Sequence, residues 1–236
     1  MTKEMLASYV SNAEVEDIGI DKDTLGHIAV MDCTQSKNKA GLQVITAYLR
    51  KAKNEVDNCR CLEFTGTVLP EVGFKSRLQL SLPVGTQVSM RHYSNIIAAL
   101  LTSQLRGQPA HLPQLTNSKG EFSAFVDFDG SPYGSTKLIS NGVEVPFVSL
   151  DQVKGRRVRV AIDVKGLQWV VPRDYDPTNP ADVRMYGNFK IAVTSIEILV
   201  KKSPSSLAAE ALGVFSDETM SDSDDEDVED PEDDDM

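Results

Sequence analysis

The chain is poor in the residues from which most catalytic and metal sites are built. Its 236 residues include three histidines, three cysteines and one tryptophan. His27, His92 and His111 are scattered. Cys33, Cys59 and Cys61 are odd in number, and Cys59 and Cys61 stand closer than the usual Cys-x-x-Cys ligand pair, with no second pair to complete a site. Three reduced thiols are expected, with neither a disulfide framework nor a bound metal. There is no Gly-rich phosphate loop, no Gly-x-Gly-x-x-Gly fingerprint, no Gly-x-Ser-x-Gly elbow and no His-Glu-x-x-His. Asp127 and Asp129 read as turn formers rather than an acid/base pair, because nothing organises them. No enzyme and no cofactor are expected. No apolar run approaches the roughly 18–20 residues of a membrane span. The first residues, MTKEMLASYVSNAEVED, lack the basic-then-apolar layout of a secretory signal. The expected protein is soluble, intracellular and not membrane-bound.

Basic residues are also missing from one region. The formal net charge is -11, but 14 of the 35 acidic residues lie between Pro204 and Met236, where there is no Lys or Arg. The preceding residues carry 24 basic and 21 acidic side chains, a balance of +3. The organisation is a mildly basic body with a strongly acidic tail. Residues 1–25, polar and acidic, read as a weakly structured N-terminal arm or a short helix, 26–203 as the body, and 204–236 as a tail. With almost no apolar content the tail is expected to be disordered, since burial cannot offset the entropy of ordering it.

Within the body, short β-type segments dominate. HIAVMDC (27–33) reads as a first strand. The stretch from Ala40 to Glu55, with Leu42, Ile45 and Leu49 and then Val56 spaced by three to seven residues, reads as an amphipathic helix. Cys61–Leu69 and Arg77–Leu82 alternate as half-buried strands do. A helix is expected from an N-cap at Ser94, with Ile96, Ile97, Leu100, Leu101 and Leu105 on one face, stopped by Gly107 and Pro109. Residues 106–120 read as a loop, Phe122–Phe128 as a strand, and Asn141-Gly142 as a hairpin turn between Lys137–Ile139 and Val143–Val148. In Arg156–Val164 the valines and Ile162 share one face, with Arg157, Arg159 and Lys165 on the other. From Gly187 to Val200 the apolar phase slips near Thr194-Ser195, which a bulge would explain. Lys165–Tyr186 reads as a long connection and hence a functional loop. The strands are not interleaved with crossover helices. The expected fold is therefore mainly β: an OB-fold-like antiparallel barrel with one or two helices.

Basic and aromatic residues interleave around these segments: Phe74, Lys75 and Arg77; Arg91, His92 and Tyr93; Arg156, Arg157, Arg159, Lys165 and Trp169; Arg173, Tyr175, Arg184, Tyr186 and Lys190. Single-stranded nucleic acid is bound by such a pairing, in which cations track phosphates and rings stack on bases. The expected contacts are Arg91, Arg157, Arg159, Lys165 and Arg184 for phosphates, and Trp169, Tyr93 and Tyr186 for bases. In the tail, Asp222, Asp224, Asp225, Glu226 and Asp227 form a polyanion able to compete for the same groove and to recruit basic partners. Ser221 and Ser223 lie there in an acidic context.

The run Gly155-Arg156-Arg157-Val158-Arg159-Val160, then Gly166-Leu167-Gln168-Trp169, then Gly187-Asn188-Phe189-Lys190-Ile191-Ala192-Val193 and Ile196-Glu197-Ile198-Leu199-Val200, resembles phage T7-type single-stranded DNA-binding proteins, which pair an OB-fold with an acidic C-terminal tail. The resemblance covers about residues 143–236. It implies coating of single-stranded DNA in replication, recombination or repair, in the cytoplasm of a phage host or at a site of viral replication. It also implies partners such as a polymerase or helicase held by the tail, and a homodimer formed by tail exchange. Tails of that group end in an aromatic; this chain ends in Met236, with Phe215 the nearest ring upstream. Two other readings compete: an acidic-tailed chaperone of histones or other basic proteins, and a viral structural protein.

Overall fold

A computed structural model of the chain describes residues 8, 10–26, 33–38, 40–50, 59–70, 76–102, 113–132, 134–173 and 186–199. The chain divides into two units, Met1–Val200 and Lys201–Met236. The acidic tail, including Asp222, Asp224, Asp225, Glu226 and Asp227, lies outside the described residues, as do the first strand expected at 27–32 and the helix stop at Gly107 and Pro109.

The first unit is mainly β. Nine strands form one sheet: β1 (Thr34–Lys37), β2 (Gln43–Tyr48), β3 (Cys61–Val68), β4 (Arg77–Ser81), β5 (Glu121–Phe125), β6 (Lys137–Ser140), β7 (Val143–Val145), β8 (Arg157–Val171) and β9 (Tyr186–Ile198). Helices delimited among the described residues include the five-residue α1 (Lys22–Gly26) and the 19-residue α2 (Val84–Thr102). The strand order is β5-β4-β3-β8-β9-β6-β7, with β2 on β8 and β1 on β2. All pairings are antiparallel except β6 with β9, which run parallel. The expected antiparallel barrel, closed or partly open, is thus corrected to a mixed sheet, one pairing being parallel, whose described pairings do not close into a barrel.

Most expected strands form where their alternation places them. In β3 the pattern Leu62, Phe64, Gly66, Val68 is buried and the intervening residues face outward. Asn141 (φ 52°) and Gly142 (φ 76°) both occupy the left-handed region, making the tight turn that joins β6 to β7. The slip near Thr194 is a bulge: Ala161 faces Ser195 while Ile162 faces Val193, so Thr194 is the extra residue.

Four expectations are overturned. Gln43–Tyr48 is a strand, not part of a helix. It is paired on both edges, with β1 and with β8, and buries Val44, Thr46 and Ala47. A strand buried on both faces loses its period-2 signature, and Leu42, Ile45 and Leu49 then mimic a helical spacing. Helix α2 begins ten residues before Ser94, directly after Pro83. Ser94 is buried inside it, its hydroxyl donating to Met90 O (2.7 Å) and accepting from Leu115 N (3.1 Å). Its early turns carry Gly85, Thr86, Val88 and Ser89, poor helix formers that hide the start.

The arm is not an appendage either. Val10, Ala13, Val15, Ile18, Ile20 and Leu25 belong to the single hydrophobic core, and Glu14 N donates to His92 Nδ1 (2.9 Å). Small apolar residues dispersed among acids are enough to cover an edge of the core. Finally, β8 does not stop at Lys165. A second bulge at Lys165, between the pairs Val164–Ile191 and Gly166–Lys190, shifts its phase. The buried set therefore passes from Val158, Val160, Ile162 and Val164 to Leu167, Trp169 and Val171. Gly166 sits at φ 150°, and a Cβ there would run into Ala47 O of β2, so only glycine allows the neighbouring strand so close. No described helix is long and apolar enough to cross a membrane.

Candidate nucleic-acid interface

The candidate interface is the outward face of β8, β3, β4 and β5. Register fixes its rows. Arg157 stands opposite Thr67, Thr67 opposite Ser81, and Ser81 opposite Glu121. Arg159 stands opposite Thr65 on one side and Glu197 on the other. Further out, Arg77 is opposite Phe125 and Gln79 opposite Ser123.

The two arginines of β8 have different surroundings. Arg157 is exposed and makes no ion pair among the described residues. Arg159 lies between two carboxylates, Glu63 (3.3 Å) and Glu197 (3.0 Å). Exposed pairs of this kind contribute about 0–1 kcal/mol each, so Arg159 could be drawn off either acid at little cost. Both acids would then face the incoming phosphate, so the four charges Arg157, Arg159, Glu63 and Glu197 cancel as a set. A third cation of the region is also taken: Arg60 Nε and Nη2 donate to Asp163 Oδ1 and Oδ2 (2.8 and 2.6 Å), a half-buried bidentate pair.

Two of the aromatic residues expected to stack on bases, Trp169 and Tyr93, are buried. Trp169 is completely buried on β8. Gly187 faces it across the ladder; a Cβ at 187 would come within 2.8 Å of Trp169 Nε1, so this glycine makes room for the ring, with Pro113 beyond. The single Trp reads as a loop residue only because the bulge at Lys165 disguises the strand. Tyr93 is also completely buried, its hydroxyl donating to Cys59 O (2.8 Å). Burial first, then the neighbouring Cys59 and Asp163, pushes the Tyr93 phenol well above its ordinary range, with Arg60 opposing. Both are core residues, because an aromatic beside cations in sequence need not share their face. Tyr186 opens β9 opposite Val170, its side chain outside the described part; Arg184 lies outside the described residues altogether. Arg91 is exposed on α2 and not on the sheet face. Lys165 is half-buried at the bulge.

The exposed ring of this face is Phe125, at 66% exposure, with the Arg77 guanidinium 5.9 Å from its centroid. Arg77 is held in turn by donating from Nε to Ser123 Oγ (2.6 Å). The signal was present in the sequence: Phe122 and Phe125 are an odd number of residues apart on one strand, so one must point outward if the other is buried. Phe122 is completely buried against Phe64, ring centroids 5.1 Å apart.

A second cationic region lies at the far end of β8, where the β1–β2 hairpin, Pro172 and Arg173 line a cleft of about 440 Å³. At the opposite end of β2, Lys190 Nζ donates to Tyr48 OH (3.1 Å) and sits 5.1 Å from the ring centroid. Among the described residues, no group of three or more His, Cys, Asp or Glu is placed to hold a metal ion. Comparison with known proteins finds no matching protein family, no similar curated protein and no similar solved structure, so the reading of function rests on the geometry described above.

Proposed function

We propose that this protein binds single-stranded DNA without acting on it chemically, on an OB-fold body. The carrying observation is Phe125, an exposed ring on an open sheet face with a guanidinium over it. Such a platform stacks on any base, at about 1–3 kcal/mol per base, while Arg157 and Arg77 meet phosphates.

The strand order supports the fold reading. Asp127 and Thr136 clasp the neck of the segment after β5: Thr136 N donates to Asp127 O (2.7 Å), Asp127 N to Thr136 Oγ1 (3.2 Å), and Thr136 Oγ1 to Val193 O of β9 (3.0 Å). We read β5 and β6, across that neck, as the two parts of one interrupted strand. Counted so, β3, β4, β5/β6, β9 and β8 would make five members, the number in an OB barrel, with the described pairings leaving the sheet open. β1 and β2 are additions to these five.

The acidic tail is then a competitor for the same face and a handle for a polymerase, a helicase or a second copy of the chain. The test is oligo-dT binding across a salt series by the full chain and by residues 1–200, which contain the whole described core. Binding that weakens with salt and strengthens on tail removal is expected. No binding by either form at low salt overturns the reading. Histone capture by the tail from a body that ignores DNA would favour the chaperone instead.

A further inference from the structure

We propose that the cleft at the tip of the β1–β2 hairpin binds the phosphodiester backbone of the same single strand; this rests on the single-strand-binding reading and extends it to the far end of β8. The cleft brings together Lys37, Arg173, Gln35, Gln43 and Ser36, and no carboxylate is among the described residues that line it. That is the reverse of the proximal face, where Glu63 and Glu197 hold Arg159.

The donors are largely unspent. Among the described residues Arg173 uses one Nη2 bond, to Ala40 O (3.2 Å), of the five a guanidinium can give. Lys37 is exposed. Gln43 Nε2 donates to Gln35 Oε1 (3.0 Å), which leaves the Gln35 amide hydrogens available.

The walls are also set in advance. Asn38 Oδ1 accepts from Ala40 N (3.0 Å) and Leu42 N (2.9 Å), Asn38 N donates to Leu42 O, and Gly41 takes φ 75° to complete the turn. Arg173 then ties the first residues after β8 to this turn. A preformed, donor-rich cleft without a carboxylate among its described lining residues suits an anion at low ordering cost.

Its chemistry selects backbone over base. No aromatic lines it among the described residues, so nothing offers a ring to stack on, whereas cations and amides are the usual partners of phosphate oxygens. Its volume of about 440 Å³ falls in the lower part of the roughly 300–1,000 Å³ of small-ligand sites, room for a phosphate with its sugar. The hairpin that builds it lies off the β5-β4-β3-β8-β9-β6-β7 path of the sheet and joins it only through β2 on β8. Fourteen residue steps along β8 from Arg157 to Val171 cover roughly 45 Å at about 3.3 Å each, so only a long strand reaches both ends.

The experiment is anisotropy of the full-length chain with labelled oligo-dT of about 4 and about 16 nucleotides, the limits of single-module site sizes, in a salt series. Lys37→Glu is measured alone, since Arg173 also supports the turn, and together with Arg173→Glu. Expected for the double variant is a loss of about tenfold or more with the long oligonucleotide and a salt slope smaller by about 1.4, with the short one changed by less than about twofold. The single variant goes the same way by about half the slope. Unchanged binding of the long oligonucleotide overturns the cleft while leaving the Phe125 face standing. Tighter binding by the variants also overturns it, since the cleft would then be holding the acidic tail. Failure of the unaltered chain to bind either length at low salt overturns the reading beneath both.

Discussion

The two halves of β8 carry the same kinds of residue to different ends. In the proximal half, paired with β3, the basic residues point outward as the alternation requires, yet Arg159 is held by Glu63 and Glu197, and Asp163 takes up Arg60. In the distal half, paired with β2, the strand buries the only tryptophan and ends at a cleft whose described walls are cationic and free of carboxylates. A surplus of +3 over the body therefore says little by itself. What matters is which strand lies opposite each cation, and register decides that.

The comparison is broken most severely at Trp169. If the distal half is core rather than binding surface, Trp169→Ala should cost about 3–5 kcal/mol of stability by urea unfolding. Trp169→Phe should cost clearly less, because Trp169 Nε1 has no hydrogen-bond partner to lose. A Trp169→Ala protein of normal stability that fails to bind single strands would restore the stacking role expected from sequence. On the proximal face the converse holds for Phe125→Ala, which should lower oligo-dT affinity by about 1–3 kcal/mol. Its unfolding midpoint should stay within about 0.5 kcal/mol of the unaltered protein, as for other exposed positions.

Where the halves meet, Tyr93 offers a titration. Its phenol is raised in the folded state, so the stability it contributes is fully present below the unfolded value near pH 10 and is lost as pH rises beyond that toward the folded value. Tyr93→Phe should cost about 1 kcal/mol at neutral pH for the lost bond to Cys59 O. It should also flatten the loss of stability above about pH 10. An identical alkaline profile in the two proteins would show that Tyr93 is not the titrating group.

The smallest effect separates the two arginines. Arg157→Gln should reduce the salt slope of binding by about 0.7, whereas Arg159→Gln should leave it nearly unchanged. Glu63→Gln, by releasing Arg159, should tighten binding slightly. Equal slopes for the two arginine variants would mean that the carboxylates do not shield Arg159.

Much of this was legible in the residues. Strict alternation located β3, β4 and the first half of β8, Asn141-Gly142 located the β6–β7 hairpin, and the slip at Thr194 located a bulge on β9. Those signals are local: turn geometry and a one-sided burial pattern depend on a few neighbouring residues. The second bulge escaped because Lys165-Gly166 resembles the start of a loop when the partner strand is unknown. With it escaped the true length of β8 and the burial of Trp169. Phe125 escaped for a simpler reason: that it and Phe122 lie on opposite faces of β5 shows only when their parity is counted.

The sequence by itself determined a mainly β body, the faces of its one-sided strands and the segregation of charge into an acidic C-terminal stretch, because these follow from composition and short-range periodicity. Only the tertiary structure decided that Gln43–Tyr48 is a strand, that residues near the N-terminus join the core, that Glu63 and Glu197 bracket Arg159, and that Lys37 and Arg173 line one cleft at the far end of β8. Each depends on contacts between residues far apart in the chain, and pairing across a sheet is set by the packing of the whole core rather than by any neighbouring run of residues.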